Sequence, residues 1–448
     1  MKTACLLRNA LLTALMIPVT AGAADRVGDF SLLDQEGYFH NMAWYDDHAA
    51  VALLVQTNDS AATAAAVPSF LALKEQFDEL GIEFMMINPL GLGNREAVAA
   101  KLSDWGVEGV PVLMDDARMI SRDLGIERAG EVVLFDPESF SVVYRGTVEG
   151  AEQAMRDLLS GSEVGTALVA STGEAIQFGE AEQLQSSQVS YVEDIAPMIA
   201  ENCASCHREG GIAPFAMDSH AMVQGWSPMI REVVMTKRMP PGQIDGHIGD
   251  FINDMRLEDR EVQKLLSWIE AGAHKDGDSD PLTELTWPTS KWAFGEPDYI
   301  IEVPPQEIPA TGVLDYIHVS VPIDIEEDKW LRGSQYVAGD RTVLHHTLNS
   351  LVEPGASRRG GFLGGGNADQ ANITAYIPGA EPVLNPPNTG GLLKAGSTLN
   401  LQLHYTTNGR ETTDASEIGL WFYPEGEVPE KRMSGQCACI FTPNWTHI

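Results

Sequence analysis

Residues 203–207 read Cys203-Ala-Ser-Cys206-His207. Two thiols spaced C-x-x-C, with an imidazole directly after them, are what covalent attachment of a c-type haem requires. Each sulfur adds to one vinyl group, and the adjacent histidine, His207, reaches the iron from the same turn. Half a zinc site or a structural disulfide are the competing readings. A zinc site would need a second ligand pair, and Cys437 and Cys439 lie far along the chain.

His207 leaves one axial position of the iron to fill. A methionine sulfur there raises the reduction potential and a second histidine lowers it. Met239 is the leading candidate. It stands in Arg238-Met-Pro-Pro-Gly242, where Pro240 disfavours helical geometry at the preceding residue and leaves Met239 on an extended loop. Met217, Met229, Met235, His220 and His247 are the alternatives.

A second constellation is made of histidines. In Thr398-Leu-Asn-Leu-Gln-Leu-His-Tyr405 the leucines take one face of a strand, and Asn400, Gln402 and His404 take the other. His345 and His346 are neighbours, so a regular strand would point them apart. A twist, a bulge or a turned imidazole would be needed for both to reach one metal with His404. Three neutral imidazoles suit copper, zinc or iron, and ordinary structural histidines remain the competing reading.

The elements that must position these residues fall into blocks. At 448 residues the chain exceeds one ordinary core, so several domains are expected. Lys and Arg total 29 against 64 Asp and Glu, a net charge of −35. Such a surface repels nucleic acid and anionic membranes and suits either high solubility or a basic redox partner. Residues 1–23 read as a secretory signal. Lys2 and Arg8 precede the apolar Leu11–Val19, which is too short to span a membrane, and Ala21-Gly22-Ala23 forms an A-x-A cleavage site. A periplasmic or secreted location follows. No later stretch reads as a membrane span.

Residues 25–160 alternate strand and helix patterns and end in a hairpin around Asp136-Pro137, which predicts an α/β sheet. The order resembles the thioredoxin-like, peroxiredoxin-related fold, through Val27-Gly-Asp-Phe30, Val110-Pro-Val-Leu-Met-Asp-Asp116, Leu124-Gly125 and Val143-Tyr-Arg-Gly146. The family's reactive cysteine lies just after the central strand. Here that place reads Gln56-Thr-Asn-Asp-Ser-Ala-Ala62, with no thiolate to act as nucleophile. A redox-inactive domain kept for docking or structure is the expectation.

Residues 161–188 are rich in Gly, Ser, Ala and Gln and read as a linker. Residues 189–278 are similar to the cytochrome c module of bacterial fusion proteins, through Gly211-Ile-Ala-Pro-Phe215, Arg238-Met-Pro-Pro241 and Trp268-Ile-Glu-Ala-Gly-Ala273. The resemblance implies an all-α domain holding haem c. Its closing helix carries Leu257, Val262, Leu265, Leu266 and Ile269 at helical spacing.

From residue 292 to 448 helical periodicity gives way to short strands separated by Gly, Pro and Asn, which predicts an all-β sandwich. Val343-Leu-His-His-Thr-Leu348, Ala375-Tyr-Ile-Pro-Gly379 and Leu401-Gln-Leu-His-Tyr405 look like the first half of the copper type II, ascorbate-dependent monooxygenases. That group includes peptidylglycine and dopamine hydroxylases. The resemblance implies that His345, His346 and His404 bind the electron-donating copper. The family's second copper site, a His-x-His pair with a methionine, has no counterpart after His404, where only His447 and Met433 remain. The expectation is therefore an exported, multidomain electron-transfer protein using haem c and copper, with a protein electron donor or acceptor. The alternatives are a truncated or partner-dependent monooxygenase and a non-enzymatic redox docking protein.

Overall fold

The computed structural model describes residues 25–432, apart from 91–94, 166, 180–183, 185–188, 212, 250, 252–253, 288–289, 356–369, 379–381 and 383. The stretch read as a signal, most of the second half of the stretch read as a linker, Met433, Cys437, Cys439 and His447 lie outside the described residues. Among those described, no helix is long and apolar enough to cross a membrane. The chain divides into two compact units. One takes residues up to Tyr191 together with Trp226–His274, and the other takes Val192–Gly225 together with Lys275 onward.

The first unit is built on a mixed sheet. Its strands are β1 (Asp25–Arg26), β2 (Ser31–Asp34), β3 (Phe39–Asn41), β4 (Ala50–Val55), β5 (Ile82–Asn88), β6 (Val112–Met114), β7 (Val132–Asp136) and β8 (Ser141–Gly146). They lie in the order β1-β8-β7-β4-β5-β6-β2-β3. β4 pairs parallel with β5 and antiparallel with β7. With β4 buried on both faces, its sequence is a continuous apolar run. Ala50, Ala52 and Leu54 meet helices α1 (Ala61–Phe77), α2 (Arg95–Asp104) and α4 (Val148–Leu159) on one face. Val51, Leu53 and Val55 point to the other face, beside the short α3 (Met119–Asp123). This is the α/β, thioredoxin-like arrangement that the strand and helix patterns predict.

Part of the stretch read as a linker packs back on this unit. Ala129 N–H donates to the Glu174 carbonyl, and Ile176 N–H donates to Glu127. Ser60, which caps α1 by accepting from Thr63 N–H, also donates to the Glu174 carboxylate at 2.5 Å. That hydrogen bond, ahead of others from the start of α1, holds the Glu174 carboxyl below its ordinary range. An acidic group is favoured at a helix N-terminus. Here it covers the end of α1 that follows the thiol-less Gln56–Ala62 segment.

The predicted all-α domain over 189–278 is corrected in one respect. Its described residues include helices α5 (Ala196–Asn202), α6 (His220–Met235) and α7 (Asp259–Glu270), and no strand. They do not close into a compact unit of their own. Residues 192–225 belong with the β-rich unit, while 226–274 belong with the α/β unit. The physical reason is the apolar stripe of these helices. Met235 of α6 and Leu266 of α7 are buried in the same cluster as Val51, Leu53 and Phe135 of the sheet. Trp268 is buried too, stacked on Tyr191 with ring centroids 5.9 Å apart and donating its indole N–H to the His274 carbonyl.

The β-rich unit carries β9 (Tyr299–Glu302), β10 (Gln306–Ile308), β11 (Ile317–Pro322), β12 (Lys329–Val337), β13 (Leu344–Val352), β14 (Thr389–Leu393), β15 (Thr398–Tyr405), β16 (Thr412–Asp414), β17 (Glu417–Phe422) and β18 (Lys431–Arg432). One sheet runs β11-β15-β13 and another β18-β14-β12-β17-β9, with β10-β16 as a separate pair. Leu399, Leu401 and Leu403 of the first sheet share an apolar cluster with Leu331, Leu393, Ile418 and Leu420 of the second. Two sheets closing on one core is the layered β arrangement expected of residues 292 onward.

Candidate metal and haem sites

β15 alternates as its sequence requires. Leu399, Leu401 and Leu403 are buried, and His404 faces away from the core. β13 lies antiparallel to β15, and His346 sits directly opposite His404. The next pair in the ladder is Leu344 with Tyr405, so β13 spends one extra residue, His345, between two successive partners. This is a β-bulge. Two residues of the bulged strand oppose one of the partner, and the extra one is re-aimed. The bulge lets adjacent histidines reach the same place.

The outcome is a three-imidazole cluster. Potential ligand nitrogens of His345, His346 and His404 lie within 4.8 Å of one another. The Nδ1 atoms of His345 and His404 are 3.4 Å apart. A metal bonded at about 2.0–2.1 Å to tetrahedrally arranged nitrogens needs them about 3.3 Å apart, so small imidazole rotations suffice. His345 is exposed, while His346 and His404 are half-buried. Burial, followed by the fields of His345 and His404, holds His346 below the usual histidine range. It therefore favours the neutral, ligating form. Tyr316, next to β11, places its ring centroid 4.6 Å from that of His404. The donor set fits a soft-to-borderline metal such as copper.

At the other site α5 delivers the motif. Its last turn continues through Cys203 N–H and Ala204 N–H, both donating to the Ile199 carbonyl. His207 N–H then donates to the Cys203 carbonyl at 2.9 Å, which folds the motif into one turn. Cys203 and Cys206 are half-exposed thiols, and His207 is 8% exposed. The His207 Nδ1 lies 3.1 Å from the Phe215 carbonyl. With its proton on Nδ1 donated there, His207 keeps Nε2 as the lone-pair nitrogen. Ligating histidines are commonly oriented in this way. Burial pushes the His207 pKa down, against the opposing effect of that carbonyl.

His207 and Met217 line a cavity of about 710 Å3, with Ala204, Arg208, Leu282 and Trp287 among its walls. Beside Cys206 lies a second cavity of about 490 Å3, which shares Arg208 and Trp287 with the first. The Arg208 guanidinium stands 4.6 Å from the Trp287 ring centroid. A buried histidine with one nitrogen committed, next to a roomy cavity and two thiols, fits a covalently attached haem. Met239 lies on the α/β unit in the loop after α6, 38% exposed, where it lines a small cavity with Met114, Asp115 and Asp259. Met217 is buried in the β-rich unit and donates its N–H to the His207 carbonyl.

The tertiary structure adds Phe215, Tyr316, Tyr376 and Arg341 to the residues around these sites. Only the strand register could have flagged Tyr316, which falls opposite His404 once Ile317 pairs with Leu403.

The chain matches no protein-family model and no curated protein. Solved structures do resemble part of it. A hypothetical protein from Sinorhizobium meliloti is 22% identical over 35% of this chain and 94% of its own, with a TM-score of 0.31. The peroxidoxin BcpB from Mycobacterium tuberculosis is 19% identical over 31% of this chain and 93% of its own, with a TM-score of 0.25. The exposed lipoprotein thioredoxin Etrx1 from Streptococcus pneumoniae is 15% identical over 29% and 99%, also with a TM-score of 0.25. In class, this is a multidomain chain with an α/β thioredoxin-like part and a separate β-sheet-rich unit.

Proposed function

We propose that this chain is an exported electron-transfer protein. In this reading a haem c is attached at Cys203 and Cys206 with His207 as axial ligand, and copper is held by His345, His346 and His404. One observation carries it: the attachment motif and the histidine cluster belong to the same compact unit. When bound, the two groups would supply one-electron couples, ferrous–ferric and cuprous–cupric.

The chain's own residues do the rest. Phe215 fixes the tautomer and orientation of His207. The β13 bulge brings His345 and His346 to His404. The apolar cluster behind Leu401 and Leu403 would hold the strands that present the histidines. Met239 stays the sequence's candidate for the second axial position, and Met217, which lines the same cavity as His207, is the candidate within this unit. The α/β unit, without a thiol after β4, serves structure or docking for a protein electron donor or acceptor.

Metal and pigment analysis of the exported protein tests the reading. It expects one haem iron that resists acid-acetone extraction and one copper per chain. His404→Ala should remove the copper and leave the haem. Extractable pigment, or copper binding untouched by His404→Ala, would defeat the proposal.

A further inference from the structure

Acidic residues outnumber basic ones in this chain by 64 to 29. The cavity of about 490 Å3 in the β-rich unit reverses that balance. Trp287, Trp292, Tyr336 and Tyr376 are among its walls, and its charged lining residues are Arg208, Lys291 and Arg341, with no described acidic residue among them. Lys291 is answered by an ion pair with Glu417. Arg208 lies over the Trp287 ring, its buried Nε has no hydrogen-bond partner, and no ion pair joins it or Arg341 to a carboxylate among the described residues. Burial raises the Tyr376 pKa, and Arg341 stands near enough to oppose that rise.

A cavity of this size with aromatic walls and a few convergent polar groups is the usual form of a small-molecule site. Here the polar groups set the sign of the ligand. An anion entering would meet two guanidiniums with no lining carboxylate to compete, while charges farther off are screened over about 10 Å at 0.1 M salt. A guanidinium holds a carboxylate through two parallel hydrogen bonds. Indole and phenol rings favour a flat, unsaturated body that can stack or meet them edge on.

We propose that this cavity binds a small organic anion, an aromatic carboxylate, with Arg341 and Arg208 on the carboxylate and the ring among Trp287, Trp292 and Tyr376. The site is separate from the two read above. His207, which would ligate the iron, lines the neighbouring cavity and not this one, and His345, His346 and His404 do not line it either. The anion therefore needs neither metal group in order to bind.

Calorimetric titration of the exported full chain at neutral pH tests this, with cinnamate as the probe and cinnamamide as its neutral isostere. Cinnamate should bind saturably, one per chain, and roughly tenfold more tightly than cinnamamide, the increment of a charge-assisted hydrogen bond. Arg341→Gln should weaken cinnamate roughly tenfold and leave cinnamamide unchanged. Arg341→Lys should recover part of the loss, and Lys394→Gln, which lines neither cavity, should bind cinnamate as the unsubstituted chain does. Arg208→Gln, read in the same way, keeps the test available if Arg341→Gln does not accumulate. Equal affinity for the anion and its amide, no saturable cinnamate binding, or binding undiminished by both Arg341→Gln and Arg208→Gln would overturn the proposal.

Discussion

Burial decides the protonation of several single groups in this chain, and Asp115 shows it outside the two sites. It sits at the end of β6, fully buried, and accepts the Ser121 N–H at 2.6 Å. Burial raises its pKa to about 6, against the opposing hydrogen bonds from Ser121. In the unfolded chain the same carboxyl titrates near 3.9. The folded state therefore binds the extra proton between those values. The resulting stability is fully present below about pH 3.9 and is lost as pH rises through about 6. A tenfold change in proton affinity is worth roughly 1.4 kcal/mol. Relative to Asp115→Asn, the unsubstituted protein should therefore lose about 2 kcal/mol between about pH 4 and pH 7. Urea unfolding of both proteins at the two pH values measures this. Parallel behaviour of the two would show that Asp115 ionises freely.

At the scale of the element, the β13 bulge is the device that brings an adjacent pair of histidines to His404, the copper site proposed above. Leu344 opposite Tyr405 and His346 opposite His404 leave His345 as the extra residue. Deleting His345 should restore a regular ladder without moving Leu344 or His346 to the other face. The cluster would shrink to two imidazoles. The expected outcome is at least a tenfold loss of copper affinity by competition with a chelator, with a folded β unit by circular dichroism. Unaltered affinity would mean that His345 is no ligand. The alternation of β15 was legible in the sequence because side chains point to opposite faces with period two. The bulge was one of three devices the sequence left open, and the choice among them depends on the register of two strands that lie far apart in the chain.

At the scale of the molecule, the net charge of −35 would set how the proposed electron-transfer protein meets a redox partner. A field of that sign attracts cations and slows anions, and salt screens it over about 10 Å at 0.1 M. Reduction by a small cationic complex should be faster than by an anionic one of equal driving force. The advantage should fall about tenfold or more from about 10 mM to about 150 mM salt. Stopped-flow rates at the haem absorption band provide the measurement. Equal, salt-independent rates would mean that the electron entry point lies outside the acidic field.

The Cys203-x-x-Cys206-His207 spacing, the alternating strand with His404, and the strand–helix order of the first 160 residues were all readable from local pattern. Side-chain period and ligand spacing are properties of neighbouring residues. Tertiary structure alone decided how the helical stretch after Tyr191 is shared out. Its amphipathic helices needed an apolar face to cover, and Met235 and Leu266 found theirs on the α/β sheet. It alone gathered Arg341, Tyr376 and Cys206 around one cavity. Long-range packing depends on which surfaces meet, and no local spacing encodes that.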